Sequence, residues 1–406
     1  MESSPAPSRP FLLALVLAMA LGPISVQMFL PALPSIQRAF GVDAGHAHLA
    51  LSLAMVAIAV STLLYGPLSD RLGRRPVLIA GQLLFIAGSA LCWHAASLGL
   101  LVAGRVVQAA GASAGLVLAR AIVRDTVPAH RIASVLAYFT MAMAFFPMFT
   151  PAIGGMLIDA LDWRAVFVFS VGVGLVSLLA VVARVRETRP DDAGDVVVGT
   201  LSGLSRTARE PVFWSYALCG GFGSAAFFGF ISAVPALMRD GMGRPATEYG
   251  IWFVTLALSF MAGNLLAARA SARVGRDRMI VAGALVIVTG AGGLFALYAA
   301  GYWHPLALFG PGMLVTFGQG AAGPNTQAGA VSGDAVLAGT ASGLYGFIQT
   351  LMAAISAQAM GSLQDGTPIP MAAFALVGGA GSLLSMAGAS RLRRRGPLGL
   401  ADRRRA

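Results

Sequence analysis

Around twelve apolar runs, each on the order of 20 residues, fill most of this chain, and each is long enough to cross the hydrocarbon core of a bilayer. They fall near 11–33, 47–66, 77–95, 98–121, 132–158 and 165–185, then near 212–238, 248–268, 279–300, 304–330, 336–361 and 369–390. Hydrophobic residues make up 57% of the 406, and charged residues only 11%, where a soluble domain carries about 25%. Lipid offers the backbone no hydrogen-bond partners, so spans of this length satisfy their amides internally as helices. The pattern therefore predicts an all-α polytopic membrane protein with twelve transmembrane helices. The first run exceeds the roughly 7–15 residues of a signal-peptide core and reads as an uncleaved span.

A polar stretch over 186–211 separates six runs from six. The expected organisation is an N-terminal six-helix bundle over 1–186, a cytoplasmic linker over 187–211, a C-terminal six-helix bundle over 212–390 and a basic tail over 391–406. A short internal echo supports two related halves, because Arg273-Val274-Gly275-Arg276 repeats Arg71-Leu72-Gly73-Arg74 in the corresponding inter-span loop. Ala272 stands where the first copy has Asp70.

The basic residues fix an expected orientation. All 28 are arginines. With the N-terminus in the cytoplasm, 23 lie in or beside cytoplasmic segments, against Arg38, Arg164, Arg239 and Arg244 outside and Arg105 within a span. That asymmetry is what the positive-inside rule requires, so the net charge of +11 needs no nucleic acid to explain it. Both termini are expected in the cytoplasm, with the C-terminal arginines held at anionic lipid. Cys92 and Cys219 sit far apart in apolar runs and read as packing residues. The five histidines, scattered at helix ends, suggest no metal site. A chain without lysine cannot build a phosphate loop. No cofactor and no catalytic residue is expected, and the chain does not read as an enzyme.

Three polar or turn-rich stretches carry functional signals. Residues 66–78, GPLSDRLGRRPVL, read as a short cytoplasmic loop joining two spans, with Gly66 and Gly73 for tight turns. Asp70 can accept from helix-end amides or a neighbouring arginine, and Arg71, Arg74 and Arg75 hold the loop at the cytoplasmic face. In the fourth span, Arg105-x-x-Gln108-x-x-Gly111 places a charge inside the membrane, where it costs several kcal/mol unless partnered or facing a cavity. The competing reading is an arginine that snorkels to the outer interface. In the fifth span, Pro147-x-x-x-Pro151-x-x-Gly154-Gly155 combines helix-bending prolines with glycines that admit a close neighbour. A purely packing role competes there.

Together these stretches resemble the major facilitator superfamily, and specifically its twelve-span drug:proton antiporters. The 66–75 spelling is similar to that family's loop between spans 2 and 3, the Arg105 motif to its span 4 signature and the Pro147–Gly155 motif to the antiporter signature of span 5. Arg120-x-x-x-Arg124-Asp125, Trp163-Arg164-x-x-Phe167, Gly323-Pro324-Asn325 and Gly339-Thr340-Ala341-Ser342 extend the resemblance to the Bcr/CflA branch of bicyclomycin- and chloramphenicol-type exporters. It implies two pseudo-symmetric bundles rocking about a central cavity, a monomer in the bacterial inner membrane, and export driven by the proton gradient. In that reading Gly66, Asp70, Arg71, Gly73, Arg74, Arg75 and Asp125 latch the cytoplasmic side, while Arg105 and Gln108 tie binding to the switch. An uptake symporter of the same fold and a non-transporting sensor or assembly factor are the competing functions.

One departure from the branch bears on substrate. The resemblance leads one to expect an acid in span 1 before Met28-Phe29-Leu30-Pro31, and Gln27 stands there instead. All 17 acids fall in loops or at helix ends, with Asp159 late in span 5 the nearest to an exception. An exporter of hydrophobic cations needs an anionic counter-charge at its midplane site, so small neutral or anionic drugs are the expected substrates. Candidate pocket residues are Gln27, Met28, Phe29, Tyr65, Tyr138, Phe145 and Phe146 in the first half. Phe227, Phe228, Asn264, Gln319, Asn325 and Gln349 are those of the second. For each, packing or helix–helix hydrogen bonding competes with ligand contact.

Overall fold

The computed structural model describes residues 8–189, 203–332 and 337–395. Most of the polar linker and the end of the basic tail lie outside them. Twelve of the described helices have 20 residues or more. We number the helices α1 Arg9–Phe29, α2 Leu33–Phe40, α3 Ala44–Leu72, α4 Arg74–Trp93, α5 Leu98–Thr126, α6 Ala129–Ala160 and α7 Ala165–Arg184. They continue as α8 Pro211–Ala236, α9 Ala246–Val274, α10 Arg276–Ala299, α11 Pro305–Ala330, α12 Ala338–Leu363 and α13 Ile369–Arg395. Only α2 is short.

Ten of these segments are both long and apolar enough to span a membrane. The other two, α11 and α12, are long enough at 26 residues each. Their hydropathy is diluted by Gly, Gln, Asn, Thr and Ser, which suits helices whose polar side chains face other helices rather than lipid. Large apolar side chains on the protein surface, among them Leu64, Leu83, Leu179 and Leu384, match a lipid solvent and would be a liability in water.

Local chemistry explains where the helices begin and bend. Ser8, Asp43 and Ser97 cap α1, α3 and α5 by accepting from amides in the first turn. The first span continues past its expected end through a 3-10 turn, Leu30–Ala32, into α2, because Pro31 and Pro34 remove amide donors from the ladder. Pro235 precedes a π-helical turn, Leu237–Gly241, at the end of α8.

The 66–78 stretch is not the short loop that its turn residues suggest. Helix α3 continues through Gly66, Pro67 and Asp70 to Leu72, and α4 begins at Arg74, so Gly73 alone joins them at φ +99. A left-handed φ of this size is open to glycine and strained for other residues. Gly275 does the same between α9 and α10 at φ +93, and each glycine amide donates to a serine carbonyl four residues back, Ser69 at 3.1 Å and Ser271 at 3.0 Å. The echo in sequence is thus an echo in backbone geometry.

The chain divides into two compact units. The first comprises Met1–Val197 with Pro235–Val254, and the second Val198–Val234 with Thr255–Ala406. In the first, α5 is central and packs against α1, α3 and α4, while α7 packs on α1 and α4. Small residues set the α4–α5 spacing: a Cβ at Gly88 would stand 2.2 Å from Gln108 N. In the second, α10 packs against α11 and α13.

Candidate functional site

Arg105 lies at the centre of the first unit with 1% of its surface exposed. Its Nε donates to Ala50 O of α3 at 3.3 Å, and its Nη1 donates to Ser25 O at 3.1 Å, Ser25 Oγ at 2.9 Å and Gln108 Oε1 at 2.6 Å. The guanidinium carbon lies 4.2 Å from the centroid of the Phe29 ring, a cation–π contact worth about 0.5–2 kcal/mol. Phe29 in turn packs on Phe167 at 6.2 Å. The side chain therefore ties α5 to α1 and α3 and does not snorkel to the interface. Among the described residues no carboxylate forms an ion pair with it, and Nη2 has no hydrogen-bond partner. Gln108 passes the network on, donating from Nε2 to Ser89 Oγ of α4 at 2.7 Å.

A second constellation gathers where α3, α4, α5 and the end of α7 meet. Arg74 is held between two acids, with Nη1 on Asp70 and on Ser69 Oγ, and Nε donating to Asp125 Oδ2 at 3.0 Å. Glu187 lies just past α7 and accepts from Arg74 N at 2.8 Å and Arg75 N at 3.2 Å, the first amides of α4. It also accepts from Thr188 N and Arg189 N, both at 2.9 Å. Partial burial pushes the Glu187 pKa up, and the amides of Arg189, Arg74, Thr188 and Arg75 more than offset this, so the carboxyl titrates below the usual glutamate range. Arg189 Nη1 donates to Arg71 O at 2.7 Å, and Arg75 Nη2 donates to Val182 O at 3.1 Å. Glu187 reads in the sequence as one acid of a polar linker; its position directly after the basic end of α7 is the only hint of this role.

The span 5 motif lies inside α6, with Pro147 and Pro151 within the helix. Its two glycines face different neighbours. A Cβ on Gly154 would stand 2.9 Å from Met28 O of α1, and one on Gly155 2.3 Å from Ala246 O at the start of α9. One turn on, Asp159 accepts from Ala246 N, Thr247 N, Thr247 Oγ1 and Arg239.

The pocket candidates divide between the units. In the first, Gln27, Met28, Phe29 and Tyr65 are buried, and Gln27 Oε1 has no hydrogen-bond partner. Tyr138 and Phe145 are exposed on α6, where Phe145 meets Phe146 at 6.4 Å and Phe149 at 4.8 Å between ring centroids. In the second, Phe227 contacts both Phe228 and Phe260. Gln319 Nε2 reaches Ser224 Oγ at 3.3 Å, and Gln349 Nε2 reaches Tyr345 Oη at 3.4 Å. Asn264 and Asn325 donate to carbonyls one turn back on their own helices, Phe260 O and Ala321 O.

Comparison with known proteins agrees with this architecture. Residues 15–357 match the model of the Major Facilitator Superfamily. A chloramphenicol resistance protein of Pseudomonas aeruginosa is 31% identical over 327 residues, 80% of this chain and 77% of that protein. An uncharacterized MFS-type transporter, YdgK of Bacillus subtilis, is 28% identical over 88% of this chain and 89% of its own length. The multidrug resistance protein MdtL of Klebsiella pneumoniae is 30% identical over 62% of this chain and 64% of its own. Among solved structures, the peptide transporter POT in complex with sulfate superposes with a TM-score of 0.75 at 16% identity, covering 97% of each chain. The xylose transporter XylE of E. coli superposes with a TM-score of 0.72 at 13% identity, covering 93% of this chain and 96% of that one. These last two speak to the fold. Twelve long helices, the doubled glycine joint and a family match over most of the length converge: the chain is a transporter belonging to the major facilitator superfamily.

Proposed function

We propose that this transporter exports small hydrophobic drugs, neutral or anionic and of the amphenicol or bicyclomycin kind, across the bacterial inner membrane. Protons move in exchange, by alternating access in a monomer with both termini in the cytoplasm. The observation that carries the proposal is the relationship to the Pseudomonas chloramphenicol resistance protein over most of both chains. The charge balance supports the substrate class. Arg105 is a buried cation with no carboxylate partner among the described residues, and Gln27, not an acid, stands on the span 1 helix. A lipophilic cation brought near that helix bundle would meet like charge in a low dielectric. The span 5 glycines and prolines, which resemble the exporter signature, support the direction, and the arginine distribution supports the orientation.

The test is accumulation of labelled chloramphenicol in exporter-deficient cells that express the chain, with and without a protonophore. Lower accumulation, restored by the protonophore, is the expected result. Accumulation raised above that of control cells would replace export with uptake. Unchanged accumulation across a panel of neutral and anionic compounds would remove the substrate class.

A further inference from the structure

Asp159 occupies the last turn of α6, where unpaired carbonyls give the helix end negative character and a carboxylate is unfavourable. Its compensation comes from elsewhere in the chain. The helix α9 begins at Ala246 directly after Pro245, which has no side-chain acceptor to cap its first amides. Asp159 supplies that cap from across the helix contact. Oδ2 accepts from Thr247 N at 2.7 Å and Thr247 Oγ1 at 2.8 Å, and Oδ1 accepts from Ala246 N at 3.2 Å and Arg239 Nη1 at 3.3 Å. Arg239 is presented by the π-helical turn Leu237–Gly241. Close approach is built in on both sides, since a Cβ on Gly250 would stand 2.3 Å from Ala152 Cα, matching the Gly155–Ala246 contact.

We propose that Asp159 is a proton-operated clamp: ionised, it fastens the start of α9 to the end of α6, and protonated it lets go. Both backbone amides and the guanidinium are obligate donors, so a carboxylic acid at this place loses its charge attraction and sets one O–H against them. The neighbouring charges are otherwise engaged. Glu248 in the first turn of α9 pairs with Arg244 at 3.6 Å, and Asp162 beyond α6 pairs with Arg164 at 3.9 Å. Asp240, next to Arg239 in the π turn, adds a negative charge on that element. Arg239 is the cation that answers Asp159. The inference deepens the export cycle proposed above by naming the group through which acidity on the outer side acts, and the clamp is measured without any transport assay.

The experiment places nitroxide labels at Leu161→Cys and Ile251→Cys, both on exposed positions. The buried Cys92 and Cys219 are replaced by alanine, and the label separation is read by pulsed electron resonance in nanodiscs from about pH 8 down to about pH 2, because a carboxylate that accepts several donors titrates below the unperturbed range. A short separation at high pH that gives way to a longer one as pH falls is expected. Asp159→Asn should show the longer separation throughout, with no pH dependence. Thr247→Val removes a donor that favours the ionised form, so its transition should move to higher pH while the high-pH separation stays short. A pH-invariant separation in the parent chain, a wild-type pH response in Asp159→Asn, or an unmoved midpoint in Thr247→Val would each overturn the clamp.

Discussion

Gln108 Oε1 lies 2.6 Å from Arg105 Nη1, one turn along the same helix, while its Nε2 donates to Ser89 Oγ on α4. One amide thus connects a buried cation to a second helix without bringing in a negative charge. Desolvation of a guanidinium costs several kcal/mol, and here it is offset by carbonyls, hydroxyls and an aromatic face. Such a network keeps its positive charge available, whereas an acid beside it would neutralise the site.

Arg105→Lys is therefore not conservative. An ammonium lacks the planar fork that reaches Ala50 O, Ser25 and Gln108 together and loses the stacked contact with Phe29. Export is expected to fall at least about tenfold, the loss of about 1.4 kcal/mol of coupling, with Arg105→Ala at background. Drug-accumulation assays normalised to membrane level check this; full export by both variants would leave Arg105 a packing residue only.

The Asp70–Arg74–Asp125 cluster makes a different expectation. Arg74 answers two acids at once, with side chains only 12% exposed for the arginine and 22% and 14% for the acids. Arg74→Ala leaves two carboxylates facing each other and should be the most destabilising single change at this corner. Asp70→Asn leaves the Arg74–Asp125 pair intact and should abolish export with membrane levels unchanged. The double variant Asp70→Asn/Asp125→Asn should deviate from additivity by about 0.5–3 kcal/mol in thermal unfolding, because both acids share one partner.

Glu187 sets a pH dependence. Its folded pKa is depressed, so its stabilisation is fully present above the unfolded glutamate value and is lost as pH falls through the folded one. Glu187→Gln is expected to cost about 1 kcal/mol, as loss of a helix cap does, at neutral pH. Melting curves of the two proteins should converge as the medium is acidified below about pH 4. A difference that persists unchanged into acid would show that the carboxylate charge contributes nothing.

Much of this was legible in the sequence, for reasons that also mark the limit. Span number and order follow from apolar run length, and the Gly73 and Gly275 joints follow from a four-residue echo; both are local properties. Residues 66–78 misled because Gly66 and Pro67 are turn-formers in water but sit inside α3, where lipid and neighbouring helices enforce the helical ladder. Contacts across long separations left almost no trace: Ser25 to Arg105, Glu187 to the amides of α4, and Asp159 to the amides of α9 pair residues 80, 113 and 88 positions apart. None carries a spacing signature, because each depends on which helices become neighbours.

Gly155 and Gly172 provide the contrast that tests helix packing against helix propensity. Both lie inside long helices, where alanine in place of glycine ordinarily stabilises by about 0.5–1 kcal/mol. A Cβ at Gly172 meets nothing within 4 Å, so Gly172→Ala should raise the melting temperature slightly. A Cβ at Gly155 meets the Ala246 carbonyl oxygen at 2.3 Å. That is a backbone atom which cannot swing aside, so Gly155→Ala must push α9 from α6 and should lower stability by about 1–3 kcal/mol. The displacement falls one turn from Asp159, whose hydrogen bonds to Ala246 and Thr247 tolerate little lengthening. The variant should therefore also weaken that contact, which the Leu161–Ile251 label separation would register as a longer distance at neutral pH. Changes of opposite sign at the two glycines locate the constraint in the α6–α9 contact. A similar rise in melting temperature for both would show that the approach seen here relaxes at no cost.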